Sequence, residues 1–245
     1  MAERRFVVEG PQAVREALQY GGLSELFVLD SDDPLARQAA QQGVPVQQVD
    51  ATVLGALAET VTPQGLVGVA PLLDVPLETA LHGTPRLVVV LHEANDPGNA
   101  GTVIRTADAA GADAVVLTAG SVDPHNGKCV RATAGSLWHL PVVSGATADD
   151  VLAAARRTGL QVLATSGAGA DDLDDLVDAG ALAAPTLWLL GTEAHGLPDA
   201  LLEAADRRVR IPVHGRAESL NLATAAAVCL YASARAQRTG RHPVE

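Results

Sequence analysis

LWLLGTEAHGLP (residues 187–198) and RVRIPVHGRAESLNLATAAA (residues 208–227) are the two runs that decide how this chain is read. Each begins with an apolar, strand-like segment, Leu187 to Leu190 in one and Val209 to Val213 in the other. Each segment stops at a glycine-containing polar loop and then feeds a helix. The loops carry Glu193 and His195, then Arg216, Glu218, Ser219 and Asn221. Strands that end in such loops and lead into helices build the ligand crevices of open α/β sheets.

The same alternation continues toward the N-terminus. Leu87 to Leu91 reads as a buried parallel strand, followed by the polar loop His92 to Asn99 and a helix from about Ala100 to Ala110, closed by Gly111. Strands follow at Ala114 to Leu117, Val142–Val143 and Leu160 to Ala164, with helices at Val130 to Trp138 and Ala148 to Thr158. The last helix is expected over Asn221 to Arg238. Alternating strands and helices predict a mostly parallel sheet covered on both faces.

A smaller α/β unit precedes it. Residues 1–72 read as strands at 6–8, 26–29, 44–49 and 66–70, with helices from Pro11 to Tyr20, Pro34 to Gln42 and Ala51 to Glu59. Prolines 71, 76 and 85 punctuate the passage to the second unit, so residues 73–85 are expected to be a linker and residues 86–245 the larger domain.

Bulk properties narrow the function classes. With 245 residues and 48% hydrophobic content, the chain can bury one large core or two small ones. No apolar run approaches the ~20 residues that span a bilayer, and MAERRFVVEG lacks a signal-peptide core. Cys129 and Cys229 match no metal spacing and are expected to be free, buried thiols in a cytoplasmic protein. The histidines form no pair at zinc-ligand spacing, and His125 and His139 are expected on the surface or satisfied in the core. The formal net charge of −12 argues against polyanion binding by the whole surface. Arg207, Arg208, Arg210 and Arg216 nevertheless cluster at one strand, while acids gather apart from them at residues 171–175. That leaves a local basic patch for nucleic acid, although a solvated arginine-rich surface explains the same composition.

The chain has no G-x-x-x-x-G-K-S/T phosphate loop and no G-x-S-x-G nucleophile elbow, which disfavours those chemistries. TSGAGAD (residues 165–171) follows a strand, but it lacks the third glycine of a dinucleotide fingerprint and reads as an ordinary loop. Three polar clusters remain: Asn95 to Asn99 with Arg105, Gly191 to Gly196, and Ser219 to Asn221. Helix capping accounts for each one alone, with Asn99 at one helix mouth, Glu193 near a helix start and Asn221 before the last helix. Their recurrence after three strands of one sheet points to a shared site.

NDPGNAGTVIRTADAAGADAVVL (residues 95–117), LWLLGTEAHGLP and RIPVHGRAESLNLATAAAVCLY (residues 210–231) resemble, in order and spacing, the three signature motifs of the SpoU (TrmH-type) RNA 2′-O-ribose methyltransferases of the SPOUT class. The resemblance covers residues 87 to about 238. RFVVEGPQAVREAL (residues 5–18) also resembles the start of the small RNA-binding domain that many members carry. The resemblance implies a trefoil-knotted α/β domain, a homodimer with the last helix in its interface, and S-adenosylmethionine as cofactor with no metal. It implies that Thr165, Gly191, Ile211, Val213 and Leu220 surround the cofactor and that Asn99, Arg105, Glu193, Ser219 and Asn221 are the catalytic set. An arginine stays protonated up to a pKa above ~12, so Arg105 is read as stabilising an alkoxide and contacting phosphate. With 2% aromatic content, few base-stacking platforms are available. Ribosomal RNA, 23S above all, is the expected substrate. A transfer RNA methyltransferase and a noncatalytic RNA-binding assembly factor are the alternatives, and the absent glycine fingerprint disfavours a dehydrogenase.

Overall fold

The computed structural model describes residues 4–192 and 195–239. Its second half is a seven-stranded sheet, every pair of which is parallel. The N-terminal sheet has four strands: β1 (Arg5–Glu9), β2 (Glu25–Val28), β3 (Val46–Gln48) and β4 (Leu66–Pro71). Its order is β1-β4-β2-β3, with β4 antiparallel to both neighbours. Helices α1 (Pro11–Glu16), α2 (Pro34–Gln41) and α3 (Ala51–Leu57) connect these strands. The helix expected through Tyr20 changes to a wider π turn over Ala17–Gly21. Tyr20 there meets the His139 ring edge-on at a centroid distance of 4.9 Å.

Residues 73–85 pack against the large sheet. They contain α4 (Leu77–Ala80), and Leu77, Ala80 and Leu81 are buried. The Val75 N–H donates to the Val142 carbonyl at 3.0 Å. Proline spacing alone suggested a linker, but the leucines between the prolines have a core to pack on.

The large sheet comprises β5 (Leu87–Leu91), β6 (Ala114–Thr118), β7 (Val142–Ala146), β8 (Gln161–Thr165), β9 (Asp171–Asp172), β10 (Thr186–Leu190) and β11 (Arg207–Arg210), in the order β7-β6-β5-β10-β8-β11-β9. Successive residues of a strand face opposite ways. Leu87, Val89 and Leu91 accordingly join one apolar cluster, while Val88 and Val90 join the other. The first cluster takes in α5 (Pro97–Ala110), α6 (Gly127–Thr133), α10 (Leu222–Thr239) and the core of the N-terminal sheet; the second takes in α4, α7 (Ala148–Thr158) and α9 (Asp199–Ala204). Both faces are covered, as the alternation predicts. Trp188 is fully buried and its indole N–H donates to Ser233 Oγ at 2.9 Å, pinning α10 to the sheet.

Three boundaries differ from the sequence reading for physical reasons. The strand expected over 209–213 ends at Arg210, because Pro212 has no N–H to give a ladder. The helix expected over 130–138 starts earlier, since Asn126 caps α6 by accepting from the Lys128 N–H at 3.0 Å. It also stops earlier, where Ala134 turns left-handed (φ 50°). β9 adds an edge to the sheet and leads into α8 (Leu173–Asp178), elements the sequence reading does not assign.

His125 is buried. Its Nε2 accepts from the Leu73 N–H at 3.0 Å, and its Nδ1 faces Asp123 Oδ1 at 3.1 Å. Both cysteines are free and buried; desolvation pushes the Cys129 thiol up to about 12 and raises Cys229 further, so neither is reactive. Among the described residues, no helix is long and apolar enough to cross a membrane, and no three His, Cys, Asp or Glu side chains are grouped to hold a metal ion.

Candidate active site

The carboxyl ends of β8, β10 and β11 open into a crevice of about 540 Å³. Open parallel sheets bind ligands at this edge, and the size suits a nucleoside-sized molecule. Thr165, Gly191, Ile211, Val213 and Leu220, the five residues expected around a cofactor, all line it, and so does Ser219. Leu190, Val209, Leu222 and Ala225 supply apolar wall.

The sequence makes this crevice by ending strands abruptly. Gly191 stops β10, and a Cβ there would overlap the Gly196 backbone, so only glycine lets the loop fold back on itself. The Gly196 N–H closes the turn by donating to the Thr192 carbonyl at 2.8 Å. Pro212 stops β11 and sends residues 211–221 along the crevice mouth. Thr165 ends β8, with its hydroxyl donating to the Leu189 carbonyl at 3.3 Å.

The polar residues beside the crevice come from two helix starts. Asp96, rather than Asn99, caps α5; its carboxylate accepts from the Asn99 N–H at 2.7 Å and pairs with Lys128 Nζ at 3.0 Å. The Asn99 and Lys128 bonds, the backbone one foremost, hold Asp96 below the usual carboxylate range. The Asn99 side chain is therefore not the cap of α5. Its Oδ1 accepts from Asn221 Nδ2 at 3.0 Å. Asn221 also caps α10, with Oδ1 accepting from the N–H groups of Ala223 (2.9 Å) and Thr224 (3.3 Å). Capping and site-building are therefore done by one amide. Two long helices converge with their positive ends on this spot, which favours negative charge there.

Arg105 lies six residues beyond Asn99 on α5, exposed and outside the crevice lining. Glu193 lies outside the described residues.

The basic cluster is less available than its sequence suggests. β9 runs beside β11, bringing the acids of residues 171–172 to the arginines. Arg207 Nη1 pairs with Asp171 at 2.9 Å, Arg210 Nε pairs with Asp172 at 3.0 Å, and Arg208 Nε donates to the Leu202 carbonyl at 2.9 Å. The expectation that the acids lie apart is overturned by this short strand.

A model of the SpoU rRNA Methylase family matches residues 86–231. The chain belongs to that family. A second model, RNA 2′-O ribose methyltransferase substrate binding, matches residues 7–75. The chain is 34% identical over 226 residues to a 23S rRNA (guanosine(2553)-2′-O)-methyltransferase of Bacillus subtilis, covering 92% of this chain and 87% of the relative. It is similar to the crystal structure of an AdoMet-bound rRNA methyltransferase from Sinorhizobium meliloti, at 35% identity and a TM-score of 0.83, over 95% of this chain and 87% of that one. The SpoU methyltransferase AviRb from Streptomyces viridochromogenes in complex with AdoMet superposes with a TM-score of 0.84 at 28% identity, over 97% and 92% of the two chains.

Within this SpoU fold, the stretch dismissed from sequence as an ordinary loop has a place at the site. Ser166 and Gly167 line the crevice, as do Asp172, Arg210 and Glu218. The available signal was position: each lies at or beyond the carboxyl end of a parallel strand.

Proposed function

We propose that the protein is an S-adenosylmethionine-dependent methyltransferase that modifies a ribose 2′-OH of 23S ribosomal RNA. The observation that carries this reading is the convergence on one crevice of five expected cofactor residues with Ser219, next to the helix starts joined by Asn99 and Asn221. The crevice fits the cofactor chemically, since apolar walls suit an adenine and a rim of backbone groups and hydroxyls suits a polar tail. When bound, S-adenosylmethionine supplies a methyl group on a sulfonium, a donor already activated without a metal.

The chain's residues would then serve the ribose. A 2′-OH is a weak acid and must shed its proton as it attacks. The two helix N-termini at Asn99 and Asn221 favour the forming alkoxide. Arg105 supplies a planar, permanently charged fork for that alkoxide and the adjoining phosphate. Ser219 and Asn221 hold the crevice loop, and Glu193 orients Arg105 or its own loop.

Arg105 is exposed rather than inside its own crevice, which fits a site completed in a homodimer. The outer face of α10 supports that assembly: Val228 and Tyr231 are 39% and 49% exposed, three residues apart on one stripe. Ala226, Cys229 and Leu230 on the inner face of α10 are buried within the protomer. The chain path is consistent with the family's trefoil knot. From β10 the chain passes β8 to reach β11, then returns through residues 211–221 past the Gly191 loop to lay α10 beside α5. Residues 1–72 would form the RNA-binding unit and 86–245 the catalytic one. The rRNA-methyltransferase relatives favour a cytoplasmic, ribosome-directed role.

Purified protein, methyl-labelled S-adenosylmethionine and a chelator are incubated with deproteinised 23S rRNA or with tRNA. Label recovered as a 2′-O-methylnucleoside from 23S rRNA is expected. Label only in tRNA would move the substrate to that class, and binding of RNA without transfer would favour the noncatalytic assembly factor.

A further inference from the structure

Most of the crevice rim offers backbone groups and hydroxyls; among the described lining residues the carboxylates are Asp172 and Glu218. They differ in how firmly they are held. Glu218 is exposed on the loop that follows β11. The Asp172 side chain is only 14% exposed and fixed twice: Oδ1 accepts from the Asp174 N–H at 3.0 Å, capping α8, and Oδ2 accepts from Arg210 Nε at 3.0 Å. The Asp174 N–H foremost, and the Arg210 bond with it, keep this carboxyl below the usual range and hence ionised.

A carboxylate oxygen accepts about two hydrogen bonds. Each oxygen of Asp172 takes one from the protein, which leaves one lone pair on each for a ligand in the crevice. Arg210 already balances the charge, so a cationic ammonium gains little there. Neutral donors gain most, and two adjacent lone pairs match two adjacent hydroxyls. We propose that Asp172 accepts hydrogen bonds from the ribose hydroxyls of S-adenosylmethionine, a role that rests on the cofactor reading of this crevice. The Arg210–Asp172 pair then pre-orients a ligand contact rather than merely joining β9 to β11. The neighbouring Arg207–Asp171 pair ties the same two strands, and neither of its members lines the crevice.

Calorimetric titration with S-adenosylhomocysteine and its 2′-deoxyribose analogue tests this. Asp172→Asn keeps an N-cap for α8 and removes the charge. It is expected to weaken S-adenosylhomocysteine binding about 10- to 100-fold, the range of lost charge-assisted hydrogen bonds. The deoxy analogue is expected to bind wild type more weakly and to lose much less on Asp172→Asn. Asp171→Asn is expected to bind both ligands as wild type does. An Asp172→Asn affinity equal to wild type, or an equal loss for both ligands, would overturn the assignment while leaving the cofactor reading intact. No binding by wild type would overturn both.

Discussion

The side-chain amide of Asn221 donates to the side-chain oxygen of Asn99 across 3.0 Å, tying the start of α10 to the start of α5. The two residues are 122 positions apart in sequence and belong to the first and third motifs. The same Asn221 caps α10 through its oxygen. Asn221→Asp separates the two tasks: aspartate caps as well as asparagine but has no N–H for Asn99. The expected result is a melting temperature near wild type with a single-turnover methylation rate lowered by about tenfold or more, since the bridge is worth roughly one hydrogen bond. Asn221→Ala is expected to lose about 1 kcal/mol of stability as well. A rate unchanged in Asn221→Asp would reduce the bridge to a structural contact.

Arg105 carries the clearest catalytic prediction. Arg105→Ala should lower the single-turnover rate with saturating RNA by about 10²–10³-fold, the usual cost of one transition-state charge contact. S-adenosylhomocysteine affinity should stay near wild type, because Arg105 does not line the crevice. Arg105→Lys should not restore the rate, since a point charge cannot replace a planar fork. An unchanged rate in Arg105→Ala would return this residue to the ordinary exposed surface.

His139 gives the protein a defined pH response. Its Nδ1 faces Asp108 on α5 at 2.8 Å and its Nε2 faces Glu16 on α1 at 3.2 Å, with Tyr20 against the ring. Partial burial opposes its charge, but the bonds to Asp108 and Glu16 overcome that and raise its pKa. A group raised on folding stabilises fully below its unfolded value, about 6.5 for histidine, and loses that contribution as pH rises through the folded value. The melting-temperature advantage of wild type over His139→Gln should therefore be largest in mild acid and shrink as the solution becomes alkaline. An advantage that grows with pH would contradict this.

The outer stripe of α10 predicts the assembly. Light scattering should give twice the 25.1 kDa chain mass. Val228→Arg with Tyr231→Glu should give the single mass without loss of folding, because both side chains are exposed in the protomer. A wild-type monomer would contradict the dimer, and a dimeric double variant would move the interface elsewhere.

The large sheet was legible because its strands are continuous apolar runs with polar stops: Leu87–Leu91, Ala114–Leu117 and Leu187–Leu190 read directly. Gly191, Ile211, Val213, Ser219 and Leu220 of the crevice were legible through the motifs, whereas Ser166, Gly167 and Asp172 were not. What sequence concealed was long-range pairing. Nothing local says that Asp171 and Asp172 form a strand beside β11, so the arginines of residues 207–210 read as a free basic patch when all three are engaged. Nor does local pattern say that Asp96 takes the cap of α5 while the Asn99 side chain meets a partner 122 residues away. The buried turn at Leu77 was hidden by its prolines, whose spacing resembles a linker until a core is present to receive the leucines.

The most direct test maps ribose methylation across 23S rRNA from cells with the protein, without it, and with Arg105→Ala restored in its place. A 2′-O-methyl group removes the nucleophile for alkaline cleavage and leaves one phosphodiester resistant. The predicted result is a resistant position in 23S rRNA that is present with the wild-type protein and absent in the other two. Identical cleavage patterns in all three, with tRNA likewise unchanged, would contradict the assignment of this chain as a ribose methyltransferase.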